Sequence, residues 1–134
     1  MNAIPFLTHS DLLRLGNAAQ ASARACERCR TIVCPGWESL GSSADRSSLR
    51  RVGTLRDPAV DEPTVEERHP GGTNAWSPDA PIAPAFFPYN RCDVWQCAAC
   101  SRAFLRYTEY GGYYEDERIR ALDIALLDDT PCAS

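Results

Sequence analysis

Leu12, Leu13, Leu15, Ala18, Ala19 and Ala23 recur at helical spacing, so the pattern predicts an α-helix over residues 8–25 with one apolar stripe. Thr8 with Asp11 three residues on, or Ser10 itself, supplies a cap at its start. Gly16 and Asn17 weaken its middle. Such a helix packs a core and leads into the first cysteines. Residues 30–33 are short and partly β-branched, and the turn signal Cys34, Pro35, Gly36 ends them, which predicts one brief strand. Residues 39–48 read as a loop rich in serine, and 49–55 as a further strand with arginine on its exposed side.

Residues 57–88 hold seven of the ten prolines together with Gly71 and Gly72, so ladders and helices are interrupted there repeatedly. Trp76, Ile82, Phe86 and Phe87 are large apolar groups in that stretch, and they predict a segment that wraps over the folded part. Strand-type residues then dominate 89–96, 103–110 and 113–120, with Gly111 and Gly112 as a two-residue hairpin signal between the last two. Phe104 and Leu105 fall on opposite faces, as do Tyr113 and Tyr114, so at least one face of this sheet needs a cover. Residues 119–127 predict a short apolar helix or turn, stopped at Asp128, Asp129, Thr130 and Pro131.

The expected fold class is therefore α+β: an N-terminal helix and a three-stranded antiparallel sheet. At 134 residues one domain over 1–134 is expected. Residues 1–29 would carry the helix and first cysteine pair, 30–88 a loop-rich insertion, and 89–134 the second pair and the hairpin.

Composition is that of an ordinary globular chain, 44% apolar and 24% charged, except for seven cysteines, an odd number that disulfides alone cannot pair. No apolar run reaches the length of a membrane helix, and no basic, apolar leader opens the chain. A cytoplasmic protein is expected, and in that reducing compartment paired cysteines are more often metal ligands or redox centres than disulfides. All fourteen basic residues are arginine. Residues 1–56 hold eight of them against four acids, for +4, and residues 57–134 hold six against fourteen acids, for −8. An acidic C-terminal half lacks the footprint of a nucleic-acid binder, so a basic protein partner is preferred.

Cys26 and Cys29, and Cys97 and Cys100, form two Cys-x-x-Cys pairs. Each spacing lets two thiolates converge on one ion from a tight turn, and two turns complete a tetrahedral four-cysteine site. Soft thiolates select zinc or iron over calcium or magnesium. A thioredoxin-like centre would need its pair at a helix start after a strand, a setting that 97–100 lacks. Catalytic zinc would need an open position and a base, and the deaminase pattern is missing. Cys34 could replace a ligand or simply fill a core position, Cys92 and Cys132 are assigned no function, since free cysteine is commonly a small buried hydrophobe, and His9 and His69 read as surface or capping residues. With no phosphate loop, nucleophile elbow or paired catalytic carboxylates, a non-catalytic protein is expected.

Two knuckles with a hairpin directly after the second resemble a zinc ribbon, which implies structural zinc (Zn2+) on Cys26, Cys29, Cys97 and Cys100. The departure is the separation, since 67 residues lie between Cys29 and Cys97 where about 15–20 is usual. Loop-closure entropy grows only logarithmically, so such an excursion is tolerated.

Ten of the twelve aromatic residues lie between Trp76 and Tyr114, and Tyr110, Tyr113 and Tyr114 adjoin the acidic run Glu115, Asp116, Glu117. Tyr-rich surface flanked by charge is suited to protein recognition, whereas the acids would repel a phosphate backbone. The stretch 86–97, continuing through the tyrosines to Arg118, is similar to segments of small bacterial proteins that include immunity proteins of polymorphic toxins. That resemblance covers the last third of the chain. It implies a domain that caps the cleft of a cognate toxin with Tyr110, Tyr113, Tyr114, Glu115, Asp116 and Glu117. The competing expectations are a zinc-ribbon module in a transcription, translation or other nucleic-acid assembly, using the arginines of 46–56, and a thiol redox sensor.

Overall fold

The computed structural model describes residues 4–21, 27, 29, 32–40, 46–74, 76–110 and 113–131. Helix α1, His9–Ala21, opens where Thr8 and Asp11 exchange hydrogen bonds, the Thr8 N–H donating to Asp11 Oδ2 (2.8 Å) and the Asp11 N–H to Thr8 Oγ1 (3.3 Å). This reciprocal box satisfies two of the orphan donors at a helix start. The expected continuation over 22–25 lies outside the described residues. Gly16 lets α1 press on the turn 124–126, for a Cβ there would collide with the Ile124 side chain. The residue that lowers local helix propensity is thus the one that permits close packing.

The sheet corrects the expected fold class. It has five antiparallel strands in the order β1-β5-β4-β3-β2, and the protein is mostly sheet with a small helix. The strands are β1 Glu38–Ser39, β2 Leu49–Thr54, β3 Asp93–Cys97, β4 Ala103–Tyr110 and β5 Glu115–Ala121. Both added members are edges: β2 is the strand expected over 49–55, here joined to the sheet, and β1 has no counterpart among the expected strands. β1 pairs Glu38 with Ile119 and Ser39 with Arg118, and two exposed residues carry no apolar period to read. β2 pairs with β3, shifting register between Arg51 and Gly53, a bulge that breaks simple alternation.

Several boundaries differ as well. Ile32 and Val33 lie in no strand. Tyr89–Arg91 is a turn of 3-10 helix after Pro88, so β3 begins only at Asp93. Tyr110 pairs with Glu115, which makes the β4–β5 connection four residues long, and its glycines lie outside the described residues. Ile119 and the two residues after it belong to β5, and only Ile124–Leu126 forms a helical turn. None of the described helices is long and apolar enough to cross a membrane.

Alternation places two cores on the two faces. On one face Val94, Ala103, Leu105 and Leu122 meet Leu12 of α1, Trp37, and Ile82 and Tyr89 of the proline-rich wrap. On the other, Leu49, Cys97, Phe104 and Ile119 are covered by Cys29, Ile32, Cys34 and Leu40. Ile82 and Phe86 are buried, whereas Trp76 is 50% exposed.

The wrap is also tied by charge: Arg68 Nε donates to Asp128 Oδ2 at 2.6 Å. The Thr130 hydroxyl and then Arg68 hold the Asp128 carboxyl down at about 2, below its ordinary 3.8. A carboxylate depressed in the folded state stabilises fully above its unfolded value, and the contribution fades as pH falls from about 4 to about 2. In urea unfolding, Asp128→Asn is therefore expected to cost about 1–2 kcal/mol at pH 7, the gap to wild type closing as pH falls toward 2. A gap unchanged across that window would remove the ion pair as its cause.

Candidate functional site

The second cysteine pair sits on the connection between β3 and β4. Cys97 ends β3 as the partner of Leu49, and its N–H donates to Arg102 O at 2.7 Å while the Ser101 N–H donates to Cys97 O at 3.0 Å. Ser101 has φ 71, a left-handed residue that turns the chain sharply enough to aim both thiols the same way. The Ala98 N–H donates to Ser48 O at 2.9 Å, which fixes this turn to the edge leading into β2.

Cys29 approaches from the segment that covers the same face. Its thiol and those of Cys97 and Cys100 lie within 4.8 Å of one another, close enough to bind one metal ion. Cys29 and Cys97 are buried and Cys100 is partly so. The Cys29 and Cys100 sulfurs are 3.5 Å apart. That is well beyond the roughly 2.05 Å of a disulfide and close to the edge, about 3.8 Å, of a tetrahedron with metal–sulfur bonds of about 2.3 Å. Arg102 Nη1 lies 3.7 Å from Cys29 Sγ, and its guanidinium stands 4.8 Å over the Phe104 ring. A fixed cation donating to sulfur offsets the negative charge of clustered thiolates and orients them. Cys26, the fourth expected ligand, lies outside the described residues.

The remaining thiols stand apart from this cluster. Burial pushes the Cys34 thiol up to about 12, so it persists as a neutral core group beside the cluster. Cys92 belongs to the opposite core, where burial also raises it well above its ordinary value, and it donates to Pro88 O at 3.3 Å. Both behave as small hydrophobes. Cys132 lies outside the described residues.

At the far end of the β4–β5 hairpin the tyrosines separate into two kinds. Tyr107 packs edge-on against Trp37, centroids 4.9 Å apart. Tyr110, Tyr113 and Tyr114 are 73%, 104% and 58% exposed. The acidic run divides likewise. Glu115 is exposed, but Asp116 accepts from Ser39 Oγ (2.8 Å) and Arg118 Nε (3.1 Å), bonds that lower its pKa, and Glu117 accepts from Arg106 Nη2 (2.8 Å). Two of the three expected partner-facing acids thus also support the sheet.

Sequence reasoning missed Arg120, which is fully buried in β5. The signal was a lone arginine within the apolar run Ile119 to Leu122. It also missed the gathering of Trp37, Trp76, Phe87 and Tyr107 around one small cavity, because these rings come from four separate segments. Comparison with protein-family models, curated proteins and solved structures gives no match for the chain.

Proposed function

We propose that this chain is a zinc-stabilised, non-catalytic protein-binding domain, and that it acts as an immunity protein neutralising a cognate bacterial toxin by direct contact. The observation that carries the reading is the tyrosine tip. Three large rings stand open to solvent beside Glu115, at the end of a hairpin braced by the Arg106–Glu117 and Arg118–Glu109 pairs. Exposed tyrosine rings bury much area at small entropic cost when a partner arrives, and nearby acids favour a basic partner. At the opposite end of the sheet, Cys29, Cys97 and Cys100 are the ligands present for zinc, with Cys26 completing the set by its spacing from Cys29. Four thiolates would close the coordination shell, which is why the metal is assigned to structure and no catalysis is assigned to it.

The test is co-expression with the product of the neighbouring gene, followed by size-exclusion chromatography and calorimetry. A one-to-one complex that persists at high salt and protects growth is expected. Tyr110→Ala with Tyr113→Ala should weaken it at least tenfold, on the order of a hot-spot loss, with the melting temperature unchanged. Neither complex nor protection would refute the reading.

The nucleic-acid alternative has one observation of its own. Arg106 and Arg51 lie 4.1 and 5.9 Å from the Trp95 ring centroid, a stacking platform in outline. Each arginine is, however, matched by a carboxylate, Glu117 and Asp93 respectively. Binding to bulk DNA or RNA that falls steeply with salt would favour this alternative.

A further inference from the structure

Beneath the tyrosine tip, on the face of the hairpin that carries Tyr107, Glu109 and Arg118, lies a cavity of about 170 Å³. Trp37, Trp76, Phe87 and Tyr107 contribute its aromatic walls, and Glu67 and Glu109 its carboxylates. The rings brace one another, with Tyr107 edge-on to Trp37 at 4.9 Å and to Phe87 at 6.2 Å. Trp76 is the outermost ring, half exposed. The cavity is well below the roughly 300–1,000 Å³ of small-molecule sites, and its size suits one side-chain head group.

The chemistry of its lining selects the sign of that group. Aromatic faces are negative and attract cations, arginine most often. The protein already uses the site in this way, for the Arg118 guanidinium stands 4.7 Å over the Trp76 ring. That internal cation is itself neutralised: Arg118 Nε donates to Asp116 at 3.1 Å and Nη1 to the Tyr107 hydroxyl at 3.2 Å. Glu109 stands 3.9 Å from it, and Glu67 meets His69 Nε2 at 2.8 Å. With Asp116 matching Arg118, the two lining carboxylates leave the cavity a negative surplus. Glu67 and Glu109 both keep part of their surface open to solvent.

We infer that this cavity receives an arginine or lysine side chain of a protein partner, stacked on Trp76 beside Arg118 and paired with Glu67 and Glu109. The inference rests on the protein-binding reading and supplies the chemistry of the partner: a basic residue projecting next to the patch that meets the tyrosines.

The test uses the full isotope-labelled chain and two probes, a short glycine–serine peptide carrying one arginine and the same peptide carrying neutral citrulline. The arginine probe is expected to shift the Trp37 and Trp76 indole resonances at about tenfold lower concentration than the citrulline probe. Glu67→Gln with Glu109→Gln should abolish that difference, whereas Asp57→Asn with Asp61→Asn, an equal loss of charge elsewhere, should leave it intact. Trp76→Leu, at a half-exposed position, should weaken binding with the amide spectrum otherwise preserved. Equal shifts from both probes, or an equal loss in the Asp57 and Asp61 variant, would overturn the inference. If the neighbouring gene's product is captured through the tyrosine tip but binds the glutamine variant unchanged, the cavity assignment fails and the protein-binding reading stands. If the arginine probe binds as expected and no complex forms with that product, the cavity assignment stands and the immunity reading fails.

Discussion

Removing the proposed zinc is expected to unfold the cysteine-bearing face of the sheet and lower the melting temperature by at least about 15 °C. The reason is that the ion would join Cys29 to the β3–β4 turn at the face that residues 32–40 cover. Their ladder to the sheet is the two-residue pairing of β1 with β5, supplemented by the Leu40 N–H to Glu117 O and the Ala121 N–H to Cys34 O. Their apolar cover is Ile32, Cys34 and Leu40 against Leu49, Phe104 and Ile119. A structural zinc contributes on the order of 10–16 kcal/mol of apparent free energy, against the roughly 5–15 kcal/mol net stability of a whole domain. Native mass spectrometry should find one zinc per chain, and melting with a chelator, or of Cys97→Ser/Cys100→Ser, should show the loss. Cys34→Ala is the control, expected to cost only about 1 kcal/mol as a small cavity while the metal is retained. A chain that carries no metal and melts normally would sink the site, leaving thiol redox chemistry as the account of these cysteines.

The convergence of Cys97 and Cys100 was legible because Cys-x-x-Cys is local. The turn from Cys97 to Arg102 is closed by its own backbone bonds, so spacing alone predicts convergent thiols. Arrival of Cys29 at the same point was inferred from the chemistry of soft ligands, since nothing in the 67 intervening residues encodes it. The helix was legible through the Leu12 and Leu15 stripe, and β4 through its length and its aromatic and branched residues. The strand over 49–55 was legible too, though not its place at the sheet edge, and β1 was not legible at all. Glu38 and Ser39 are strand only because β5 offers them hydrogen bonds, and a period of two cannot be read from two exposed residues. Tyr89 and Asn90 have a place in a strand by composition, yet Pro88 favours a turn there and both are buried as a turn of 3-10 helix. Tertiary partners decided these elements, and partners are invisible to periodicity.

Arg120 carries the other large expected effect, and it follows from the same non-local logic. Its guanidinium donates to four uncharged oxygens: Ala80 O at 2.7 Å, Pro78 O at 3.1 Å, Pro35 O at 3.3 Å, and the Tyr89 hydroxyl. Those oxygens belong to the cysteine segment, the proline-rich wrap and the turn before β3, so one side chain on β5 closes three crossings of the chain. Prolines interrupt ladders, and the carbonyls beside them need donors from elsewhere. A planar fork of five N–H groups can serve several acceptors at once, which an ammonium cannot. Arg120→Met keeps much of the volume but orphans these acceptors, at about 1–3 kcal/mol for each that water cannot reach. A total loss of about 3–5 kcal/mol in urea unfolding is expected, with Arg120→Lys recovering less than half and Tyr89→Phe costing about 1 kcal/mol. Arg50→Ala, exposed on β2, should stay within about 0.5 kcal/mol. Hydrogen exchange would locate the damage, since the Ala80 and Ala121 amides, next to the orphaned carbonyls, should lose protection before those of β4. Replacing a buried ion by a hydrophobe sometimes leaves a protein as stable as before. If Arg120→Met does so here, the three crossings are held by the packing of Ile82, Leu105 and Leu122, and the guanidinium only fills space among them.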